Sequence, residues 1–551
     1  MSKKNQLAGD RHWWRNAVVY QIYPRSFADA NGDGIGDLAG IISRVDYLSQ
    51  LGIDAVWLSP FYPSALADGG YDVDDYMDVD PRIGNLEQFD ELVAKLHERN
   101  IRIFVDIVPN HSSNLHVWFQ EALAAGRGSK ARARYIFREG RGAGGELPPS
   151  DLASHFGPHG WTRVEDGQWY MHLFTKEQPD FNWDNPEVHE YFLKTLRFWS
   201  DRGVDGFRID VAHALKKNLD PLPDRSSYAL SAMKDDGTDP LFDRDEVHEV
   251  YREWRQVFNE YEPPRVAVAE AWVHPNRRPP YASEQGLGQA FNFDLVASGW
   301  DPIQFKQVID ENLALSEISG SSSTWVMSNH DVIRHATRLL IPGYGSSQDS
   351  FDLEAKWYQE HRLDGNLNLQ LGVDRARAAT LLMLALPGSS YLYQGEELGL
   401  HEVLDIPSDQ MQDPQWFRGE GKLKSRDGCR VPLPWESSGT SFGFGPGGSH
   451  LPQPSWYAEV SVSAQEKDPN STLNLYRKAL ELRKQLLVGD ELSWLPSEPG
   501  TLAFARSGGW TCVTNFSADP IELPAGELLI VSRELQDGKL AANSTAWLRT
   551  L

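Results

Sequence analysis

Three acids stand at the ends of strand-like hydrophobic runs in this chain: Asp210 after Gly206-Phe207-Arg208-Ile209, Glu270 after Val266-Ala267-Val268-Ala269, and Asp331 after Ser328-Asn329-His330. A fourth run ends in Pro109-Asn110-His111. If parallel strands deliver these groups from their C-terminal ends, carboxylates and imidazoles distant in sequence meet at one site. Three converging acids, with neither metal-ligand spacing nor a phosphate-cradling loop among them, suit cleavage of a glycosidic bond. One carboxylate attacks the anomeric carbon, one carboxylic acid protonates the leaving oxygen, and a third holds and distorts the sugar. Arg208 precedes Asp210 by two residues and shares its side of the strand, so its charge is expected to keep Asp210 ionised. Any one of these acids alone fits a cap or a surface ion pair; the functional reading rests on the four strand ends together.

Positioning them requires a barrel. Strand-like runs at residues 17–23, 55–58, 103–108, 206–211, 266–271, 291–295, 324–328 and 391–394 alternate with amphipathic stretches. Eight such runs, rich in Val and Ile and without polar alternation, give an α/β fold: a (β/α)8 TIM barrel of strands buried on both faces. Two gaps exceed a simple crossover. Residues 112–185, rich in Gly, Pro, Trp and His, form an inserted domain after strand 3, and residues 398–460 form a lid beside the barrel mouth. The predicted division is residues 1–111 and 186–475 for the barrel, 112–185 for the insert, and 476–551 for a C-terminal antiparallel β-sandwich domain. A helix pattern near 473–487 closes the barrel, and runs at 501–506, 511–515 and 528–531 supply strands of the last domain.

Composition narrows the partners. The net charge of −25 argues against nucleic acid or an anionic membrane surface, both of which need positive surface. Nineteen Trp mildly favour a carbohydrate, because indole stacks well on the C–H face of a sugar ring. Only Cys429 and Cys512 are present, so no disulfide framework is expected. The first ten residues lack the apolar core of a signal peptide, and no apolar stretch reaches the ~20 residues of a membrane helix, so a cytoplasmic location is expected.

The segments ending in His111, Asp210, Glu270 and Asp331, with Gln178-Pro179-Asp180-Phe181-Asn182 and Gly395-Glu396-Glu397, resemble the conserved regions of the α-amylase family, glycoside hydrolase family 13. The resemblance covers nearly the whole chain from about Trp13. Within the family the chain is most similar to the α-glucosidase and oligo-1,6-glucosidase branch, especially the actinobacterial α-glucosidases. The resemblance implies that Asp210 is the nucleophile, Glu270 the general acid/base and Asp331 the transition-state stabiliser. It also implies that His111, His330, Arg208 and Phe174 contact the sugar. Asp68-Gly69-Gly70-Tyr71 matches the clamp for the non-reducing end, with Tyr71 under the ring and Asp68 on the terminal hydroxyls. Arg430 matches the arginine that pairs with that aspartate in exo-acting members, where the ion pair turns a cleft into a pocket.

A further loop, Asp29-Ala30-Asn31-Gly32-Asp33-Gly34-Ile35-Gly36-Asp37, places side-chain oxygens at alternate positions with the Ile35 carbonyl between them, the pattern of a hard-cation loop. In this branch such a loop holds a structural Ca²⁺ or Mg²⁺; an empty Asx-rich turn fits the same residues. Three departures from the family pattern bear on specificity. Val211, after the nucleophile, is linked by rule of thumb to α-1,6 preference, yet the actinobacterial relatives with Val-Ala-His here favour α-1,4 substrates. Residues 150–159 differ from the expected Asn-Asp-Trp…Phe-Gly-Gly, and Phe181 stands where Leu is usual. These positions are expected to border the aglycone side, leaving linkage open. The expected activity is a retaining exo-α-glucosidase on short α-glucosides with some transglycosylation, acting as a monomer or homodimer. The alternatives are a sucrose- or maltose-rearranging transferase and a catalytically dead scaffold. Double displacement predicts Asp210 and Glu270 carboxyls about 5–5.5 Å apart, with Glu270 raised so that it is protonated near neutral pH.

Overall fold

Eight short parallel strands, rich in Val, Ile and aromatic residues, form the first sheet: β1 (Val18–Ile22), β2 (Ala55–Leu58), β3 (Arg102–Ile107), β4 (Gly206–Ile209), β5 (Val266–Ala269), β6 (Gly288–Ala290), β7 (Thr324–Val326) and β8 (Ser389–Tyr393). They are taken from a computed structural model that describes residues 7, 9–345, 350–362 and 367–550; residues 1–6, on which the signal-peptide reading partly rested, lie outside it. The strand order is β7-β8-β1-β2-β3-β4-β5-β6. A parallel bridge from Asn292 to Trp325 joins the two edges, so the sheet closes into a barrel.

Alternation along each strand separates two apolar layers. In β1, Val18, Tyr20 and Ile22 face the helical shell, whereas Val19 packs inside with Ala55, Trp57, Phe104, Val268 and Tyr391. Gly206 is required by this interior, because a Cβ there would sit 2.5 Å from the Phe104 ring. The helices of the shell start where the sequence offers caps: Asn85 accepts from Gln88 N–H before Leu86–Glu98, and Asn185 accepts from Glu187 N–H before Pro186–Asp201.

The sixth strand differs from expectation. It runs over Gly288–Ala290 rather than residues 291–295. The interior accommodates its polar residue: Gln289 donates to Ser389 Oγ at 2.9 Å and accepts from the Tyr391 hydroxyl at 3.0 Å. Phe291 and Phe293, which made 291–295 look like a strand, instead pack in the mouth against Tyr391 and Trp272.

After β3 the chain builds a three-stranded antiparallel sheet (Phe137–Arg138, Trp161–Arg163, Trp169–Met171) and returns through bridges His111–Asp180 and Tyr135–Phe181. Helix Thr472–Leu486 runs through residue 476, and the last sheet begins only at Leu492. That region is one five-stranded antiparallel sheet, not the two-layer sandwich expected. One face lies on helix Leu369–Ala385, where Thr545 Oγ1 and Trp547 Nε1 donate to the Ala378 and Leu381 carbonyls. The other is covered by irregular chain around Ile521, Leu523, Leu535 and Leu540. Regular strands are not needed there, because loop side chains bury the apolar face. Among the described residues no helix is long and apolar enough to cross a membrane.

Candidate active site

Arg208 organises the mouth of the barrel. From β4 its guanidinium reaches Asp210 at 2.5 Å, Asp106 of β3 at 3.0 Å and Glu270, beyond β5, at 2.7 Å. Glu270 also accepts from Val211 N–H at 3.0 Å and Trp272 Nε1 at 3.1 Å. Val211 presents that N–H from φ 44°, a strained conformation for a β-branched residue, retained at the acid it serves. Asp210 and Glu270 thus sit on two arms of one guanidinium, at Nη1 and Nη2 of Arg208.

Three carboxylates around one buried cation leave an excess of negative charge. Burial pushes Asp106 up to about 7 against the pull of Arg208. Burial likewise raises Asp210 well above the usual carboxylate range; Arg208 pulls it down, and Glu270 and Asp106 push it up again. Arg208 does pull Asp210 toward the ionised form as expected, but the cation is shared among three carboxylates and burial works against it.

Asp331 stands in the opposite field. Burial acts to raise it, but His330, Arg426, Arg430 and Arg208 hold it well below the usual range. Arg426 Nη1 and Arg430 Nη2 lie 3.1 and 2.8 Å from its Oδ1. The expected pairing of Asp68 with Arg430 is not what forms. Asp68 pairs with Arg426 at 2.8 Å, and Arg430 donates to the His330 carbonyl at 2.8 Å. Both arginines descend from residues 398–460; Asp413, also in that segment, anchors Arg426 at 2.7 Å. With Arg430 committed to Asp331 and the strand-end carbonyl, Arg426 is left to span Asp68, Asp331 and Asp413.

The remaining expected residues converge here too. His330 lies parallel to Tyr71 (5.4 Å, 7°), its Nε2 2.7 Å from the Tyr71 hydroxyl and its Nδ1 2.7 Å from the Gln21 amide. Tyr71 passes the chain on by donating to Asp106 at 3.2 Å. His111 lies 3.0 Å from the Gln178 amide, which donates to Asp68 at 3.2 Å. Burial drives both imidazoles down to about 3, so they are neutral hydrogen-bonding groups at ordinary pH. Phe174 tilts against His111 at 5.1 Å and stacks on His155 at 4.8 Å. His155 stacks in turn on Tyr228 at 3.9 Å, and Phe156 lies under Arg426 at 5.2 Å. The divergent segment 150–159 does reach the mouth. Phe181 does not: it is fully buried against Tyr135 (5.0 Å), a core residue between insert and barrel.

The sequence reading left out Asp106, Gln178, Arg426 and Asp413 as site residues. Asp106 had a signal, a carboxylate inside an otherwise apolar strand. Arg426 had one in its distance of a single helical turn from Arg430.

In the loop of Asp29, Asn31, Asp33, Ile35 and Asp37 the carboxylates already serve the backbone. Asp29 accepts from Gly32 and Gly34, Asp33 from Ile35, and Asp37 from Ala30, Asn31 and the helix residue Gly40. Among the described residues no three His, Cys, Asp or Glu side chains come together to hold a metal. A cation here must therefore rely on the Asn31 amide and Ile35 carbonyl beside the acids.

The profile of the family "Alpha amylase, catalytic domain" matches residues 21–351 and 359–490, most of the chain including every strand-end acid. The chain belongs to the α-amylase family, glycoside hydrolase family 13. It is 36% identical to a probable alpha-glucosidase of Rhizobium meliloti (strain 1021), covering 95% of this chain and 93% of that protein. It is 32% identical to an oligo-1,6-glucosidase of Parageobacillus thermoglucosidasius, covering 96% of each. Among solved structures, the alpha-glucosyl transfer enzyme XgtA superposes with a TM-score of 0.83 at 32% identity, covering 98% of this chain and 99% of that one. This α-amylase family member is a glycoside hydrolase.

Proposed function

We propose that this enzyme is a retaining, exo-acting α-glucosidase that releases glucose from the non-reducing end of short α-glucosides. The observation that carries the reading is that Asp210 and Glu270 pair with the same guanidinium, Arg208, at 2.5 and 2.7 Å, which supports two carboxyls facing one site as double displacement requires. Asp210 attacks the anomeric carbon. Glu270, oriented by Val211 N–H and Trp272, gives its proton to the leaving oxygen and then takes one from water. Asp331, held as an anion by two arginines, accepts hydroxyls of the distorted ring and offsets its developing positive charge. The Arg426 bridge from Asp68 to Asp331 supports a pocket closed at the non-reducing end, where a longer chain has no passage.

Two experiments test this. A 5-fluoro-α-glucosyl fluoride should label the protein covalently, with the modified peptide containing Asp210; a label elsewhere ends the assignment. Maltose, isomaltose, kojibiose, nigerose, sucrose and trehalose should yield mainly free glucose from the favoured linkage. A second reading, glucosyl transfer or sugar isomerisation, draws on the likeness to the transfer enzyme and on the aromatic group His155, Phe156, Phe174 and Tyr228 beside the pocket. Isomeric disaccharides or transfer products as the main outcome would favour it.

The loop Asp29–Asp37 offers oxygen donors of the type a hard divalent cation takes, and we assign it a structural Ca²⁺ or Mg²⁺. Chelation should lower the melting temperature by a few degrees, and added Ca²⁺ should restore it; an unchanged melting curve would leave an Asx-rich turn. Cytoplasmic residence belongs to the same reading.

A further inference from the structure

At the opposite end of the barrel, where β1, β5, β6 and β7 begin, lies a pocket of about 400 Å³ with an unusual charge. In a chain of net charge −25, its wall carries Arg11, Arg15, Arg255 and Arg265, with Glu284 as the one carboxylate. The nearby acids are engaged, Asp205 in part with Arg265 itself. Glu260 pairs with Arg197 at 2.6 Å, and Asp205 with His97 at 2.8 Å and Arg102 at 3.3 Å. Asp10 accepts from His12 N–H.

Arg15 and Arg255 are positioned by carbonyls rather than by carboxylates. Arg15 is fixed by the Gly320 and Ser321 carbonyls at 2.9 and 3.0 Å. Arg255 is fixed by the carbonyls of Gly286, Arg265 and Leu287 at 2.8, 3.0 and 2.6 Å. Carbonyl dipoles orient a guanidinium without cancelling its charge, and each keeps N–H groups for a further acceptor. Among the described residues Arg11, Arg15 and Arg255 form no ion pair. Burial draws Arg255 down to about 10, with Glu284 the carboxylate that opposes it. His12 and Trp14 complete the rim, their rings edge to face at 6.1 Å.

We propose that this floor pocket binds a sugar phosphate, the phosphate held by Arg11, Arg15 and Arg255 and the sugar ring lying along Trp14. Guanidinium forks match a tetrahedral oxyanion, and indole matches a pyranose face. The site is separate from the acid cluster, which occupies the C-terminal ends of the strands, and stands whether or not the glucosidase reading holds.

The test is calorimetric titration of the full-length protein with glucose 6-phosphate and with inorganic phosphate, at constant ionic strength and with 1-deoxynojirimycin filling the glucoside pocket. Saturable binding of glucose 6-phosphate, tighter than that of phosphate and weakened about 10-fold or more in Arg11→Glu and in Arg15→Gln, is expected. Arg11 is exposed and forms no hydrogen bond or ion pair among the described residues, so R11E should keep its melting temperature and its glucosidase rate. Absence of binding, competition by deoxynojirimycin, or undiminished binding in both variants would overturn the site. Equal affinity for the two ligands would overturn its sugar half.

Discussion

Two sides of the barrel mouth are built by different physics. On one, Asp106, Arg208, Asp210, Glu270, Asp331, Arg426 and Arg430 form a nearly continuous lattice of ion pairs between 2.5 and 3.1 Å, seated on strand ends and mostly buried. On the other, His155, Phe156, Phe174 and Tyr228 come from loops, are partly or fully exposed, and meet by stacking. A buried charge lattice tolerates little, because removing one member leaves its partners desolvated and unpaired. A stacked aromatic group can be rearranged at modest cost. Under the proposed reading the first side holds the glucosyl donor and the second the acceptor, so chemistry is fixed and specificity is adjustable.

The strongest way to break this contrast is Asp210→Asn. Loss of the attacking carboxylate should lower kcat by about 10⁴-fold on any α-glucoside, with the melting temperature unchanged or raised, since one of three crowded acids is neutralised. Retention of more than a small fraction of activity would move the nucleophile elsewhere.

Arg426→Ala comes next. Asp68, Asp331 and Asp413 all lose their cation, which should cost about 3–5 kcal/mol in denaturant unfolding and most of kcat/KM. Arg426→Lys should not rescue it, because one ammonium cannot serve three carboxylates in different directions. If lysine restored both stability and activity, the three-way bridge would not be what holds the pocket.

A pH profile sharpens the picture of a shared cation. Asp210 must be ionised to attack, so kcat/KM should rise with pH as Asp210 gives up the proton that burial holds on it. The negative charge of Asp106 helps hold that proton on Asp210. Asp106→Asn removes the charge, lowers the pKa of Asp210, and should shift the acidic limb to lower pH. A limb that stays in place or moves upward would mean that Asp106 does not belong to the titrating unit.

How much of this was legible in the sequence follows the same division. Strand-end acids declare themselves as a set, because a parallel barrel requires short apolar strands and delivers their C-terminal ends to one face. The barrel, and the gathering of Asp210, Glu270 and Asp331 at its mouth, were therefore readable. Partner choice was not: Arg426 and Arg430 lie one turn apart in a loop, and which of them meets Asp68 depends on Asp413, whose approach no periodicity encodes. The sixth strand was displaced for a related reason. Gly288-Gln289-Ala290 lacks apolar character because its polar group is satisfied inside the barrel, and Phe291 and Phe293 carry the signal of a strand they do not join. Phe181 misled because a departure from the family pattern can be a repacked core as readily as an altered surface.

The smallest expected effect tests the acceptor side. His155 is exposed, stacked between Phe174 and Tyr228, and outside the charge lattice. An aromatic contact of this kind contributes about 0.5–1.5 kcal/mol, so His155→Ala should raise KM for the preferred disaccharide, or lower transfer relative to hydrolysis, by up to about 10-fold. α-Glucosyl fluoride carries no second ring, and its hydrolysis should remain within about 2-fold of the parent rate, since the donor contacts are untouched. If both substrates slowed together, His155 would be supporting Phe174 and through it His111, and the two sides of the mouth would be one coupled unit. If neither changed, the acceptor would be gripped elsewhere on the rim, with Phe156 over Arg426 the next position to alter.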